Sequence, residues 1–217
     1  MAPKKLPVKD VPTGKPQVFL EFSHRSEPLG RVMFELFHEQ LPKTVENFKQ
    51  FCMGTTIGDK KSKEVRTAHY KGCKFLRVTE DGIQTGDVLN RADGKGQESI
   101  FGPQFEDECL GVVAHNHGVL SMCNSGPHSN GCQFFICTIP DGSSQGKAAH
   151  LDAHYVAFGI LVEGAAVLET LSRILTTYVI DKHGHIDLHA EVEVSNCGLH
   201  TPSISKPVSR PASAGKK

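Results

Sequence analysis

Apolar and polar positions alternate over two adjoining runs near the start of the chain. Val18-Phe19-Leu20-Glu21-Phe22 and Arg31-Val32-Met33-Phe34-Glu35-Leu36-Phe37 flank a short loop, Ser26–Gly30, and together predict a β-hairpin. The period then changes. Between Pro42 and Cys52, the apolar residues Val45, Phe48, Phe51 and Cys52 recur at helical spacing, with Pro42 suited to a first turn and Gly54 to a stop. Residues 55–72 are charged and irregular and read as a long loop ending in Tyr70-Lys71-Gly72. Short strand-like pieces follow at Lys74–Val78, Gly82–Asp87, Val119–Met122, Gln133–Thr138 and Val156–Val162. A second helix is predicted over Ala165–Ile174, and Ile186–Val194 alternates as a closing strand. Many short strands with two helices argue for a mainly β fold, a closed or nearly closed barrel plugged by helices.

Composition narrows the class. A chain of 217 residues suits one domain with tails, and its 38% apolar content is enough for a core. The longest apolar run, Val156–Val162, is broken by Gly159 and falls far short of the roughly 18 residues a membrane span needs. Met1–Pro16 has no apolar segment of the secretory kind, and a soluble cytoplasmic protein is expected, with the nucleus as a second location. Charge is uneven although it sums to zero. Residues 1–16 carry Lys4, Lys5, Lys9 and Lys15 against Asp10, and residues 201–217 carry Lys206, Arg210, Lys216 and Lys217 with no acid. These read as a disordered basic N-terminal arm and a disordered Pro/Ser/Lys-rich tail around a mildly acidic domain, 17–200. The basic runs are short and lack aromatics, so nucleic acid is not an expected partner; nor is a membrane, and a monomer is expected.

One run carries the question of function. Residues 121–138 read SMCNSGPHSNGCQFFICT, a turn-rich polar loop that passes directly into Phe134-Phe135-Ile136. Gln133 and Phe135 are two apart and share one face of a strand, while Phe134 and Ile136 face the other. Several chemistries can be set aside. His115-x-His117 and His183-x-His185-x3-His189 lack Cys or carboxylate partners at finger spacing, so no metal or other cofactor is expected. Seven cysteines, an odd number without a C-x-x-C pair, argue against a zinc site or disulfide scaffold. No cysteine near His128 opens a helix, where a thiolate would be stabilised. The triplet Glu106-Asp107-Glu108 has no opposing acid and reads as structural. What remains is a set without a nucleophile: Arg77, Gln84, Asn124, Gln133, Phe135, Leu151 and Tyr155. Apolar groups around one guanidinium and a few amides suit binding a neutral peptide.

Nine blocks in order, VFLEF, EPLGRVMFELF, LPKTVENF, YKGCKFLR, IQTGD, SIFGPQFEDE, GVLSMCNSGPHSNGCQFFICT, LDAHYVAFG and SNCG, closely resemble the cyclophilin family of peptidyl-prolyl isomerases. The resemblance spans residues 17–199. It implies a closed, eight-stranded antiparallel barrel capped by two helices, and an isomerase acting on X-Pro bonds of peptides and client proteins. Arg77 matches the family's catalytic Arg; Gln84 and Asn124, counted with it as catalytic, match groups that hold the peptide backbone and the carbonyl. Gln133 matches a group that holds the peptide. Met122, Phe135 and Leu151 match the apolar proline pocket, Tyr155 its edge, and Cys123 and His150 complete the substrate-binding set.

The match is imperfect around Val78–Asp87. That segment is shorter than in relatives and lacks the pocket Phe; Ile83 takes the place of a Met, but nothing replaces the ring. Reduced isomerase activity follows, with a proline-peptide binding module or scaffold component as the alternative. His150 stands where cyclosporin-sensitive members carry Trp, so tight cyclosporin binding is not expected. Members with an enlarged loop after the first helix carry a cysteine at that helix's end and another near the last strand. Cys52 and Cys197 fit those places, either as a redox pair or as two inert buried thiols.

Overall fold

A computed structural model describes residues 16–58, 65–89, 96–139 and 149–200. The basic arms lie outside these, apart from Pro16. Strands β1 (Gln17–His24) and β2 (Glu27–Leu36) form the expected hairpin. Its turn is tighter than Ser26–Gly30, because Arg25 and Ser26 both take positive φ, 51° and 66°, which matches the twist of the two strands. Val18, Leu20 and Phe22 of β1 and Val32, Phe34 and Leu36 of β2 are fully buried on one face, as alternation dictates.

Helix α1 (Pro42–Met53) follows, with Val45, Phe48, Phe51 and Cys52 buried. Leu41 precedes it and offers no side-chain acceptor to the free N–H groups of the first turn. Glu108 supplies one from afar. Its Oε1 accepts from Lys43 N at 2.9 Å, and its Oε2 from Thr44 N at 2.6 Å and Thr44 Oγ1 at 2.7 Å. The other two acids of the triplet are equally engaged: Glu106 pairs with Lys43 at 2.8 Å, and Asp107 accepts from His128 N at 2.9 Å and Asn130 Nδ2 at 2.7 Å.

Next come β3 (Thr55–Ile57) and β4 (Arg66–Ala68), paired in a small separate sheet within the stretch read as irregular. Then follow β5 (Arg77–Val78), β6 (Gly82–Thr85), β7 (Val119–Met122), β8 (Phe134–Cys137), a single-turn α2 (Ala149–Asp152), β9 (Ala157–Glu163), α3 (Ala165–Thr176) and β10 (Val192–His200). The main sheet has eight strands in the order β10-β1-β2-β9-β7-β8-β6-β5, with every pairing antiparallel.

Two expectations are corrected. The sheet curls through 231° and stays an open half-barrel, and three helices, not two, occur among the described residues. The seam lies between β10 and β5, where residues 72–76 run irregularly after the positive-φ Gly72. Gly72 N donates to Val194 O at 2.7 Å and Val194 N to Cys73 O at 2.9 Å, but only one bridge, Lys74 to Glu193, forms there, so no ladder closes the gap. The core nevertheless is continuous. Phe48 of α1 meets Tyr70, Phe134 and Phe158 at centroid distances of 5.1, 5.0 and 4.9 Å, and α3 buries Leu168, Leu171 and Leu175. No helix among the described residues is long and apolar enough to cross a membrane.

A ribbon at residues 178–187 covers the free edge of β5. Val179 bridges Ile186 within it, and Ile180 N donates to His185 O at 2.8 Å. Its second arm lies on β5, where Val78 N donates to Gly184 O at 2.7 Å and Ile186 N to Leu76 O at 3.1 Å. Occupying those groups protects an otherwise exposed edge. The closing strand therefore begins at Val192 instead of Ile186: Asp187 accepts from His189 N to cap a 3-10 turn at Leu188–Ala190, and Glu191 is left-handed at φ 54°.

Candidate active-site groove

Strand register lines up the central side chains. Arg77 on β5 faces Gln84 on β6, Gln84 faces Phe135 on β8, and Phe135 faces Ser121 on β7. Cross-strand partners share a face, so all four stand on one side of the sheet. The next row, Val78, Ile83, Ile136 and Leu120, points to the other side, where the last three are fully buried.

On the Arg77 side lies a cavity of about 880 Å³. Of the residues singled out in the sequence, the structure brings Arg77, Gln84, Asn124, Gln133, Phe135, Cys123, Leu151 and Tyr155 to its walls. Phe135 forms the floor, stacked on the His115 ring at 5.8 Å and met edge-on by Tyr155 at 5.3 Å. His115 is itself locked, its Nδ1 2.8 Å from Asp152 Oδ1 and its Nε2 2.9 Å from Ser121 Oγ. Burial holds the His115 ring below its ordinary value even though Asp152 opposes the shift, which keeps an uncharged support under the floor.

The polar wall is a chain of amides. Gln84 Nε2 donates to Gln133 Oε1 at 2.8 Å, and Gln133 Nε2 donates to Gly96 O at 2.9 Å. Asn124 Nδ2 donates to His154 O at 2.7 Å, tying the polar turn to the segment that carries Tyr155. Arg77 is half-buried, and its Nε and Nη2 donate to His183 O at 3.2 and 2.9 Å.

Three expected residues are placed elsewhere. Ile83 and Met122 are fully buried and do not line the cavity: Ile83 belongs to the core-facing row, and Met122 pairs with the buried Phe134. Alternation explains Ile83, since Gly82 and Gln84 take the groove face on either side of it. His150 is exposed outside the lining, with Nε2 3.3 Å from Asp81 Oδ2. On that wall Thr79, Asp81 and Gly82 line the cavity, and no aromatic ring comes from this segment.

The other wall was missed. Ile180, His185, Ile186, Asp187, Leu188 and His189 reach the cavity from the ribbon and the turn after it. A signal existed: the β-formers Val179, Ile180 and Ile186 flank Asp181–His185, a turn that contains Gly184.

Chemically, the groove offers a guanidinium, amides and apolar surface. Burial pushes the Cys123 thiol well up, away from thiolate chemistry. Groups of three or more His, Cys, Asp or Glu able to hold a metal do not occur among the described residues. Cys52 and Cys197 are both buried and free, with Cys197 Sγ 3.6 Å from Cys52 O and 3.5 Å from His69 Nδ1. Burial, reinforced by Cys197, raises the Cys52 thiol well above its usual range. A family model described as cyclophilin type peptidyl-prolyl cis-trans isomerase/CLD matches residues 19–198, which include the whole groove.

Proposed function

The chain belongs to the cyclophilin-type peptidyl-prolyl cis-trans isomerase family, and from that premise we propose that its groove catalyses rotation about X-Pro bonds in peptides and client proteins. The observation that carries this reading is that Arg77 lines the same cavity as the apolar Phe135 and Leu151. Rotation must break amide resonance against a barrier of about 18–20 kcal/mol. In the twisted state the prolyl nitrogen gains a lone pair, and a fixed guanidinium donor stabilises that state more than either planar one. No covalent step and no cofactor are needed. Gln84, Gln133 and Asn124 would hold the peptide backbone while Phe135, Leu151 and Tyr155 seat the ring.

A second reading, a proline-peptide binding module of low activity, draws on one observation: Thr79, Asp81 and Gly82 bring no aromatic ring to their wall of the cavity. Magnetisation exchange between the cis and trans forms of a short Ala-Pro peptide separates the two. Exchange accelerated by the wild-type protein supports the isomerase; peptide binding with exchange at the uncatalysed rate supports the module.

A further inference from the structure

The orientation of Arg77 is set from a segment far along the chain. Two donors of its rigid fork, Nε and Nη2, share one acceptor, the main-chain oxygen of His183, and this restrains the plane of the guanidinium as well as its position. Gln84, the cross-strand neighbour of Arg77, sends its amide to Gln133 instead.

The His183 oxygen sits in the turn at the tip of the ribbon, where Gly184 N donates to Asp181 O at 3.1 Å. Gly184 has φ +78°, and a Cβ there would collide with Val78 O, so the turn lies directly against β5. Asp181, Lys182, His183 and His185 are all exposed, so apolar packing of those side chains does not shape the turn. One side chain does. Asp181 Oδ1 accepts from His183 N at 2.9 Å and from His185 N at 3.1 Å, and its Oδ2 lies 2.7 Å from His185 Nδ1. The His185 bond, followed by those two main-chain amides, holds the Asp181 carboxyl down to about 2, so it is an ionised acceptor at neutral pH.

We propose that Asp181 is a positioning residue for Arg77: its carboxylate shapes the turn that presents the His183 oxygen, and that oxygen aims the guanidinium into the groove. The effect on rate rests on the isomerase reading above; the effect on Arg77 geometry does not.

The test uses the full chain and three variants, Asp181→Ala, Asp181→Asn and Lys182→Ala, the last changing a neighbouring turn residue. The Arg77 Nε–H resonance, assigned by its loss in Arg77→Lys, reports geometry, and exchange on an Ala-Pro peptide reports rate. In wild type the Nε–H exchanges slowly with water. Asp181→Ala shifts that resonance and speeds its exchange, and lowers kcat about tenfold with KM within about twofold, as expected for a misplaced catalytic group. Asp181→Asn, which keeps an oxygen for the two amides, recovers most of both; Lys182→Ala changes neither. An Nε–H resonance unmoved in Asp181→Ala, or equally moved in Lys182→Ala, overturns the proposal. Should Asp181→Ala not fold, Asp181→Asn must still show a smaller shift in the same direction, and none overturns it. A wild-type protein that does not accelerate exchange defeats the isomerase reading, and the Nε–H comparison still decides this one.

Discussion

Gln84 Nε2 donates to Gln133 Oε1 at 2.8 Å, so the groove's polar wall links β6 to the residue just before β8. Gln133 is only 1% exposed, and a buried amide that loses one bond costs about 1 kcal/mol or more. Gln84→Ala should lower the denaturant midpoint at unchanged slope, and lower isomerisation further than this stability loss accounts for. Urea titration with peptide exchange on the same sample checks both; an unchanged midpoint would show that the bond adds nothing.

The wall at Asp81 should accept an aromatic ring. A Cβ at Gly82 would strike Ile136 O, so a ring cannot be placed at that position without moving β8. Position 81 lines the cavity, and its contact with His150 is an exposed pair worth little. Asp81→Phe is expected to tighten Ala-Pro peptide binding several-fold, since an aromatic contact adds about 0.5–1.5 kcal/mol beyond area burial. Calorimetric titration reads this directly, and weaker binding would mean that the slot does not want a ring there.

Glu108 should matter for stability alone. It gives three acceptor contacts to the first turn of α1, where no local cap exists. Glu108→Ala is expected to cost about 0.5–2 kcal/mol, the range for a lost helix cap, with isomerisation per folded molecule unchanged. Thermal unfolding and peptide exchange test the pair of outcomes.

Cys52 and Cys197 are neighbours, yet burial keeps the Cys52 proton in place. The thiolate is the reactive form, so a group raised above its ordinary value is less reactive at neutral pH and gains reactivity only as pH climbs. Mild peroxide at pH 7 should leave both as thiols, and alkylation of Cys52 should stay slow through pH 9. Mass mapping that finds a 52–197 disulfide under those conditions would favour the redox pair.

Much of the fold was written in local pattern. The β1–β2 hairpin, α1 and the burial of Phe134 and Ile136 all follow from periodicity, because each buries one face against the same core. Sheet closure was not legible: whether residues 72–76 complete a ladder with β10 depends on main-chain geometry after Gly72, which side-chain alternation does not encode. Ile83 misled for a related reason. Matching it to a pocket Met set aside the alternation around Gln84, which puts Gly82 on the groove face and Ile83 in the core. The ribbon wall was hidden by distance, since His185 and Arg77 lie far apart in the chain and pair only because the ribbon caps the edge of β5.

The central claim is that the Arg77 guanidinium favours the twisted amide over the planar one. The most direct measurement compares wild type with Arg77→Ala by cis–trans exchange and by peptide affinity on one Ala-Pro substrate. The account predicts a fall in kcat of about 10²–10³, the range for removing one preorganised transition-state donor, with peptide affinity nearly unchanged. Equal exchange rates for the two proteins would contradict it.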